Sequence, residues 1–243
     1  MKKQKKKEFQ VPAKTSVFYA AFKNTVMRLL FRKPKIINLA GELPKKGIIL
    51  ANHSAKSGPP SFDLYYPVTC AKWGAYQLFG NFKSRMEYLR DVLYIQKCGK
   101  KPGFITSFKA WFMAIFNPFV YRGMRMMPTY PDARFASTLR DSAKVLDADM
   151  SVMIFPENSG EGYKDVLTEF FPGFVMLADK YHRATKEDLP VYPVYYSIKK
   201  RLMVIGKALF VQNFVKQGLD RYQIAQRFCD EVNQLYFDYV RDV

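Results

Sequence analysis

A chain of 243 residues, 49% of them hydrophobic, can build one sizeable α/β domain or two small ones. Its net charge of +18, from 39 Lys plus Arg against 21 Asp plus Glu, points to an anionic partner such as a membrane surface, nucleic acid, or an acidic protein or cofactor. Cys70, Cys98 and Cys229 are odd in number and lack metal-ligand spacing, which excludes a disulfide framework and a cysteine-held zinc.

Residues 1–7 hold five lysines, a block that reads as a solvated tail attracted to anionic lipid. No secretory leader is expected, because the next stretch, residues 8–15, is polar and carries Pro12. Residues 15–32 read as an amphipathic helix with Ser16 as N-cap and Pro34 as a stop. Phe18, Phe22, Val26, Leu29 and Leu30 fall on one side, with Asn24, Arg28 and Arg32 on the other. That pattern suits a core-facing helix or a membrane-interface helix, and the adjacent lysines favour the interface.

Strands are expected at 36–40 and 47–51, with His53 following the second through Asn52. His53 is one of only two histidines, and a strand that hands it to a loop of small residues presents the imidazole at a sheet edge. Residues 62–73 are mixed and read as helical, as do 86–95, before the basic turn at 97–103. Residues 104–121 are the most apolar stretch, either a core helix or one dipping into an interface through Trp111, Phe112 and Phe116. Its uncharged part is too short and too interrupted by Asn117-Pro118 for the ~20 residues of a spanning helix, and no transmembrane span is predicted.

A turn at 122–128 leads to a short strand, and 133–148 reads as a helix. The strand 151–155 ends in Pro156-Glu157-Asn158-Ser159-Gly160, a second polar constellation, so two strand ends suggest one site built from two loops. Residues 174–182 read as helix, 191–198 and 202–210 as strands around a basic turn, and 220–240 as a final amphipathic helix. His182, at the end of the helix before the last strands, reads as solvated. Strands alternating with helices imply an α/β fold with a largely parallel central sheet flanked by helices. The expected division is a basic tail and interfacial helix over 1–34 and a single α/β domain over 35–243.

Four stations spanning roughly residues 45 to 200 carry a resemblance. They are Asn52-His53 after a strand, the glycine-led segment Gly123 to Pro128, Phe155-Pro156-Glu157, and Leu189-Pro190-Val191-Tyr192-Pro193-Val194. In this order they resemble the glycerolipid acyltransferases, the bacterial lysophosphatidic acid acyltransferases and their relatives. The departures are specific. The family's carboxylate follows its histidine after four intervening residues, and that place is Gly58 here. The nearest acid is Asp63, with nine residues intervening. Pro128 and Thr129 stand near the place of an expected arginine, and Asn158-Ser159-Gly160 replaces Gly-Thr-Arg.

Acyl transfer to a hydroxyl needs a base, and a neutral histidine works best when a carboxylate holds its tautomer. The expectation is that His53 is the base, Asp63 its orienting acid, and that the imidazole and Glu157 meet across one greasy cleft facing lipid. The resemblance implies that Glu157 holds the acceptor. Asn158, Ser159 and Gly160 are candidate donors to an oxyanion or acceptor oxygen, and Arg122 and Arg125 are candidates to clamp a phosphate. No metal and no redox cofactor is expected. The acyl donor would be acyl-CoA or acyl-acyl carrier protein, and the acceptor a lysophospholipid-type hydroxyl. The setting would be peripheral, on the cytoplasmic face of an anionic membrane. Two alternatives stand beside this reading. One is a weakened relative that binds lipid or acyl carrier without transferring, motivated by the altered His-Asp spacing. The other is a basic nucleic-acid-binding protein, for which motifs and interleaved aromatics are missing.

Overall fold

The computed structural model describes residues 11, 15–54 and 57–243. The lysine block at 1–7, read above as lipid-attracting, lies outside the described residues. Eight strands form one sheet: β1 (Lys35–Asn38), β2 (Ile48–Ala51), β3 (Cys70–Ala75), β4 (Met126–Thr129), β5 (Ser151–Ile154), β6 (Pro190–Ser197), β7 (Leu202–Ile205) and β8 (Leu209–Phe210). The order is β1-β7-β6-β2-β5-β3-β4, with β8 also pairing β6. β6 runs antiparallel to β7 and β8, and every other pair is parallel.

The central strands are buried on both faces, as a parallel sheet covered by helices requires. All of β2 is buried, and its side chains alternate between two cores. Ile48 and Leu50 join Val152, Ile154 and Val191 beneath α6 (Phe135–Asp147), α7 (Gly173–Thr185) and α9 (Arg221–Tyr239). Ile49 and Ala51 face the opposite way, into Met153, Val194, Tyr196 and Phe62 of α3 (Gly58–Tyr65). Asp220 opens α9 with a capping box closed by Gln223, which answers orphan donors of the first turn. His182, expected to be solvated, is half-buried on α7 with its Nδ1 enclosed and unpartnered among the described residues.

Two expectations are corrected. Residues 62–73 are not one helix, because α3 ends before Pro67 and β3 follows. The strand was masked by Lys72, whose ammonium is buried in the sheet against Asp63. The strand expected over 202–210 is interrupted after Ile205 and resumes as β8 at Leu209–Phe210, and the short helix α8 (Val211–Lys216) follows it. The N-terminal helix is present, and most of its apolar stripe faces outward rather than into the core, the placement that the adjacent lysines favoured. It starts as α1 (Val17–Phe22), widens to π geometry over Lys23–Met27 and ends as α2 (Arg28–Leu30). Phe18 and Leu29 are 81% and 83% exposed, whereas Tyr19 and Met27 are the residues turned inward.

Tyr19 docks that helix. Its ring lies on Gly123 so closely that a Cβ there would fall 2.1 Å from a ring carbon, so only glycine fits. Its hydroxyl donates to Asp63 at 3.1 Å. The helix α5 (Phe104–Gly123) then carries the apolar surface onward. Phe22 and Tyr19 stack edge-on against its Phe119, while Phe104, Phe108, Trp111, Phe112 and Phe116 remain exposed. α5 is therefore not a core helix. Only its Ala110, Ala114, Asn117 and Gly123 are buried.

Candidate active site

The register of two adjacent strands assembles the site. β2 and β5 pair in parallel with Ile48 opposite Val152 and Leu50 opposite Ile154. Carried three residues past the last pair, the same register brings His53 level with Glu157 at the carboxyl ends of both strands. The side chains meet there, with His53 Nδ1 2.7 Å from Glu157 Oε1. The His53 backbone N–H adds a longer contact, 3.3 Å to Glu157 Oε2. A carboxylate accepts only, so the Nδ1 nitrogen carries the proton and the Nε2 lone pair is left for a substrate.

The backbone around His53 is held as tightly. The Asn52 side chain donates to the Tyr196 carbonyl at 2.9 Å and accepts from the Tyr196 N–H at 2.7 Å, so β2 leaves the sheet at one defined place. Gly58 N–H then donates to the His53 carbonyl at 2.7 Å. A Cβ at position 58 would lie 2.2 Å from that carbonyl oxygen. The turn thus forbids any side chain at the position where the resemblance leads one to expect a carboxylate. The carboxylate that contacts the imidazole is Glu157.

The imidazole is partly exposed, with a side-chain exposure of 21%, while Glu157 is sealed at 5%. Two rings flank the histidine, Phe155 at 4.9 Å and Tyr163 at 5.2 Å between centroids. Burial raises the Tyr163 hydroxyl well above the ordinary phenol range, and the charge of Glu157 adds to this. Tyr163 therefore remains a neutral wall of the site.

Asp63 does not reach His53, which corrects the pairing expected from sequence. Its Oδ1 holds the Lys72 ammonium at 2.9 Å, and its Oδ2 holds Lys23 at 3.0 Å as well as the Tyr19 hydroxyl. The Lys72 ammonium also donates to the Met124 carbonyl at 3.1 Å. Burial alone would raise the Asp63 carboxyl, but the charges and hydrogen bonds of Lys72 and Lys23 outweigh it and hold the group below the usual carboxylate range. Asp63 is a structural anchor for the N-terminal helix.

The remaining predicted residues divide. The Asn158 amide donates to Glu169, and its Oδ1 accepts from the Gly160 N–H at 3.1 Å, so both groups are spent inside their own loop. An antiparallel bridge between Glu157 and Phe170 closes that loop. Ser159 is buried, and its carbonyl accepts from Gly162. None of the three is arranged as an open donor set. Arg122 is exposed at the end of α5, beside a cavity of about 300 Å³ lined by Phe79, Pro118, Tyr121, Met126 and Arg85. Arg125 has positive φ at 57°, its carbonyl accepts from Lys72 N–H, and its charge acts on Tyr19 and Cys70 at the Asp63 cluster. The two arginines are thus sent to different surroundings. Cys70 is itself an inert thiol, pushed up to about 12 by burial.

Sequence reasoning brought His53 and Glu157 together, as found, but gave the partner's place to Asp63 and missed the flanking rings. The signal was present: the two strand ends are in step once β2 and β5 are taken as parallel neighbours. Among the described residues, no cluster of three or more His, Cys, Asp or Glu side chains could hold a metal ion.

No protein-family model and no curated protein matches the sequence. Among solved structures, the chain has the fold of the 1-acyl-sn-glycerophosphate (LPA) acyltransferase PlsC from Thermotoga maritima. The likeness covers 91% of this chain and 80% of that one, at 15% identity and a TM-score of 0.51.

Proposed function

We propose that this chain is a peripheral membrane acyltransferase, moving a fatty acyl group from a thioester donor to a hydroxyl of a lysophospholipid-type acceptor. The observation that carries the reading is the 2.7 Å contact between His53 and Glu157 at the ends of adjacent parallel strands. The shared fold with a glycerophosphate acyltransferase adds support.

In this reading the acceptor hydroxyl gives its proton to Nε2 of His53 as its oxygen attacks the thioester carbonyl. Glu157 accepts from Nδ1–H throughout and stabilises the imidazolium that forms. The tetrahedral intermediate collapses, the carbon–sulfur bond breaks, and the imidazolium returns its proton to the leaving thiolate. The products are an ester and a free thiol. Coenzyme A or acyl carrier protein is the carrier, and both are anionic, as suits a chain of net charge +18.

The apolar face explains how such an enzyme meets its lipid. Phe18, Leu29, Phe104 and Phe108 project from α1, α2 and α5, and Phe104 is 84% exposed. Aromatic and aliphatic groups of this kind insert into the headgroup boundary. No helix among the described residues is long and apolar enough to cross a membrane. The cavity beside α5, lined by Leu78, Phe79, Pro118, Tyr121 and Met126, is a candidate berth for an acyl chain. The cytoplasmic membrane face, where acyl thioesters are made, is the proposed setting.

The test is incubation of a lipid extract and a labelled acyl thioester with wild-type and His53→Ala protein. A labelled phospholipid that disappears with the variant supports the reading. Equal labelling by both proteins, or no labelled lipid from either, overturns it.

A further inference from the structure

Lysophospholipid acceptors carry a phosphate, and the two predicted phosphate ligands stand elsewhere, Arg122 at a cavity beside α5 and Arg125 at the Asp63 cluster. Among the described residues, two further lysines lie near the dyad, Lys164, which is paired with Glu161 at 2.8 Å, and Lys97. Lys97 ends a segment wound with π geometry over Tyr88–Lys97, the continuation of α4 (Phe82–Glu87). This segment is fastened to the loop of Glu157. Gln96 Nε2 donates to the Gly160 carbonyl at 3.0 Å, and Gly162 lies so near that a Cβ on it would be 3.4 Å from the Lys97 carbonyl.

The Lys97 ammonium sits 5.9 Å from the centroid of Tyr163, the ring that also lies 5.2 Å from the imidazole. Among the described residues, no carboxylate lies within ion-pair distance of it. Burial lowers its pKa, and the field of Glu157 opposes that shift, so the ammonium is partly desolvated and still feels the dyad. A desolvated cation without a counter-ion is satisfied best by an anion that arrives with the substrate.

We infer that Lys97 binds the phosphate of the acceptor, in a site that spans Tyr163 between ammonium and imidazole. The inference rests on the acyl-transfer reading for the identity of the ligand. The acceptor is favoured over the donor as the source of that phosphate. In such an acceptor the hydroxyl and the phosphate ester lie only one or two carbons apart, which matches two groups that flank a single ring. The phosphate of a phosphopantetheine carrier lies a whole pantetheine arm from its thioester. A lysine also suits a site lacking arginines, since it meets phosphate as a point charge without needing a planar fork.

The test is calorimetric binding to the full chain of hexanoyl lysophosphatidic acid, hexanoylglycerol and free coenzyme A, the lipids kept below micelle formation. Lys97→Met keeps the stem over Tyr163 and removes the charge. Lys97→Arg keeps the charge, and Lys216→Ala, at an exposed position on α8, controls for net charge. The wild type is expected to prefer the phosphorylated lipid roughly ten- to a hundredfold. Lys97→Met erases that preference without weakening hexanoylglycerol or coenzyme A, and the other two variants keep it. A wild type without the preference, a Lys97→Met protein that retains it, or a loss confined to coenzyme A overturns the inference. Binding needs no turnover, so the expected pattern in a protein that transfers no acyl group would sink the reaction and leave the phosphate site standing.

Discussion

Replacing Glu157 by glutamine isolates the charge of the dyad. The side chain keeps its size, but its two oxygens now accept from two donors, His53 Nδ1 at 2.7 Å and His53 N–H at 3.3 Å. An amide can serve one and must turn an NH2 group against the other. The larger loss is electrostatic. Two unit charges ~4 Å apart attract by about 4 kcal/mol at an effective dielectric of ~20, and this pair is closer and largely buried. The imidazolium is only part-formed in the transition state, so roughly 2–4 kcal/mol of stabilisation is removed there. At 1.36 kcal/mol per decade, kcat falls about thirtyfold to a thousandfold. The assay is initial-rate acyl transfer with saturating donor and varied acceptor, on protein shown to be folded by circular dichroism. Loss in kcat with little change in KM marks a residue that orients the base, whereas loss in KM marks one that holds the acceptor. Asp63→Asn is the companion variant and should keep its kcat per folded molecule. The argument fails if Glu157→Gln retains its kcat, or if Asp63→Asn loses as much.

Two further outcomes follow from the same contacts. Gly58→Asp restores a carboxylate where the resemblance puts one, yet its Cβ would fall 2.2 Å from the His53 carbonyl oxygen, a backbone atom held in a hydrogen bond. Thermal melts and transfer assays should show a lower Tm and no gain in activity, and a variant as stable and more active would refute this account of the turn. The Asp63 carboxyl is held below its unfolded value of ~3.9, so its stabilisation is complete above that value and disappears as pH falls through the folded pKa. Denaturant titrations should find Asp63→Asn about 3–5 kcal/mol less stable near pH 7, since Lys72 is left charged and buried, with the gap to wild type closing below pH ~4. A gap that persists unchanged in acid would mean that the carboxylate charge is not what anchors the helix.

Much of the frame was legible in the chain. Residues 47–51 and 151–155 are apolar runs bounded by polar loops, and they became the two central strands that carry His53 and Glu157. Hydrophobic pattern alone specifies such elements, because a strand buried on both faces needs an unbroken apolar run. Pattern failed where a charge entered the core. Lys72 hid β3, since nothing local announces that an ammonium will be met by Asp63 from α3. The N-terminal helix was legible as a helix, and the adjacent lysines favoured an outward stripe, but the residue that docks it was not legible. Its stripe of Phe18, Leu29 and Leu30 turns outward because Tyr19 has a better berth on Gly123 and Asp63.

The sequence by itself determined the layered α/β architecture, the basic charge and the histidine at a strand end, all consequences of local pattern and composition. That Glu157 and not Asp63 would hydrogen-bond that histidine was decided only in three dimensions. Asp63 is nearer along the chain, but two lysines and a tyrosine claim it, and a glycine turn closes tightly after His53. Glu157, 104 residues away, arrives through strand register, a relation that exists only once the sheet has formed.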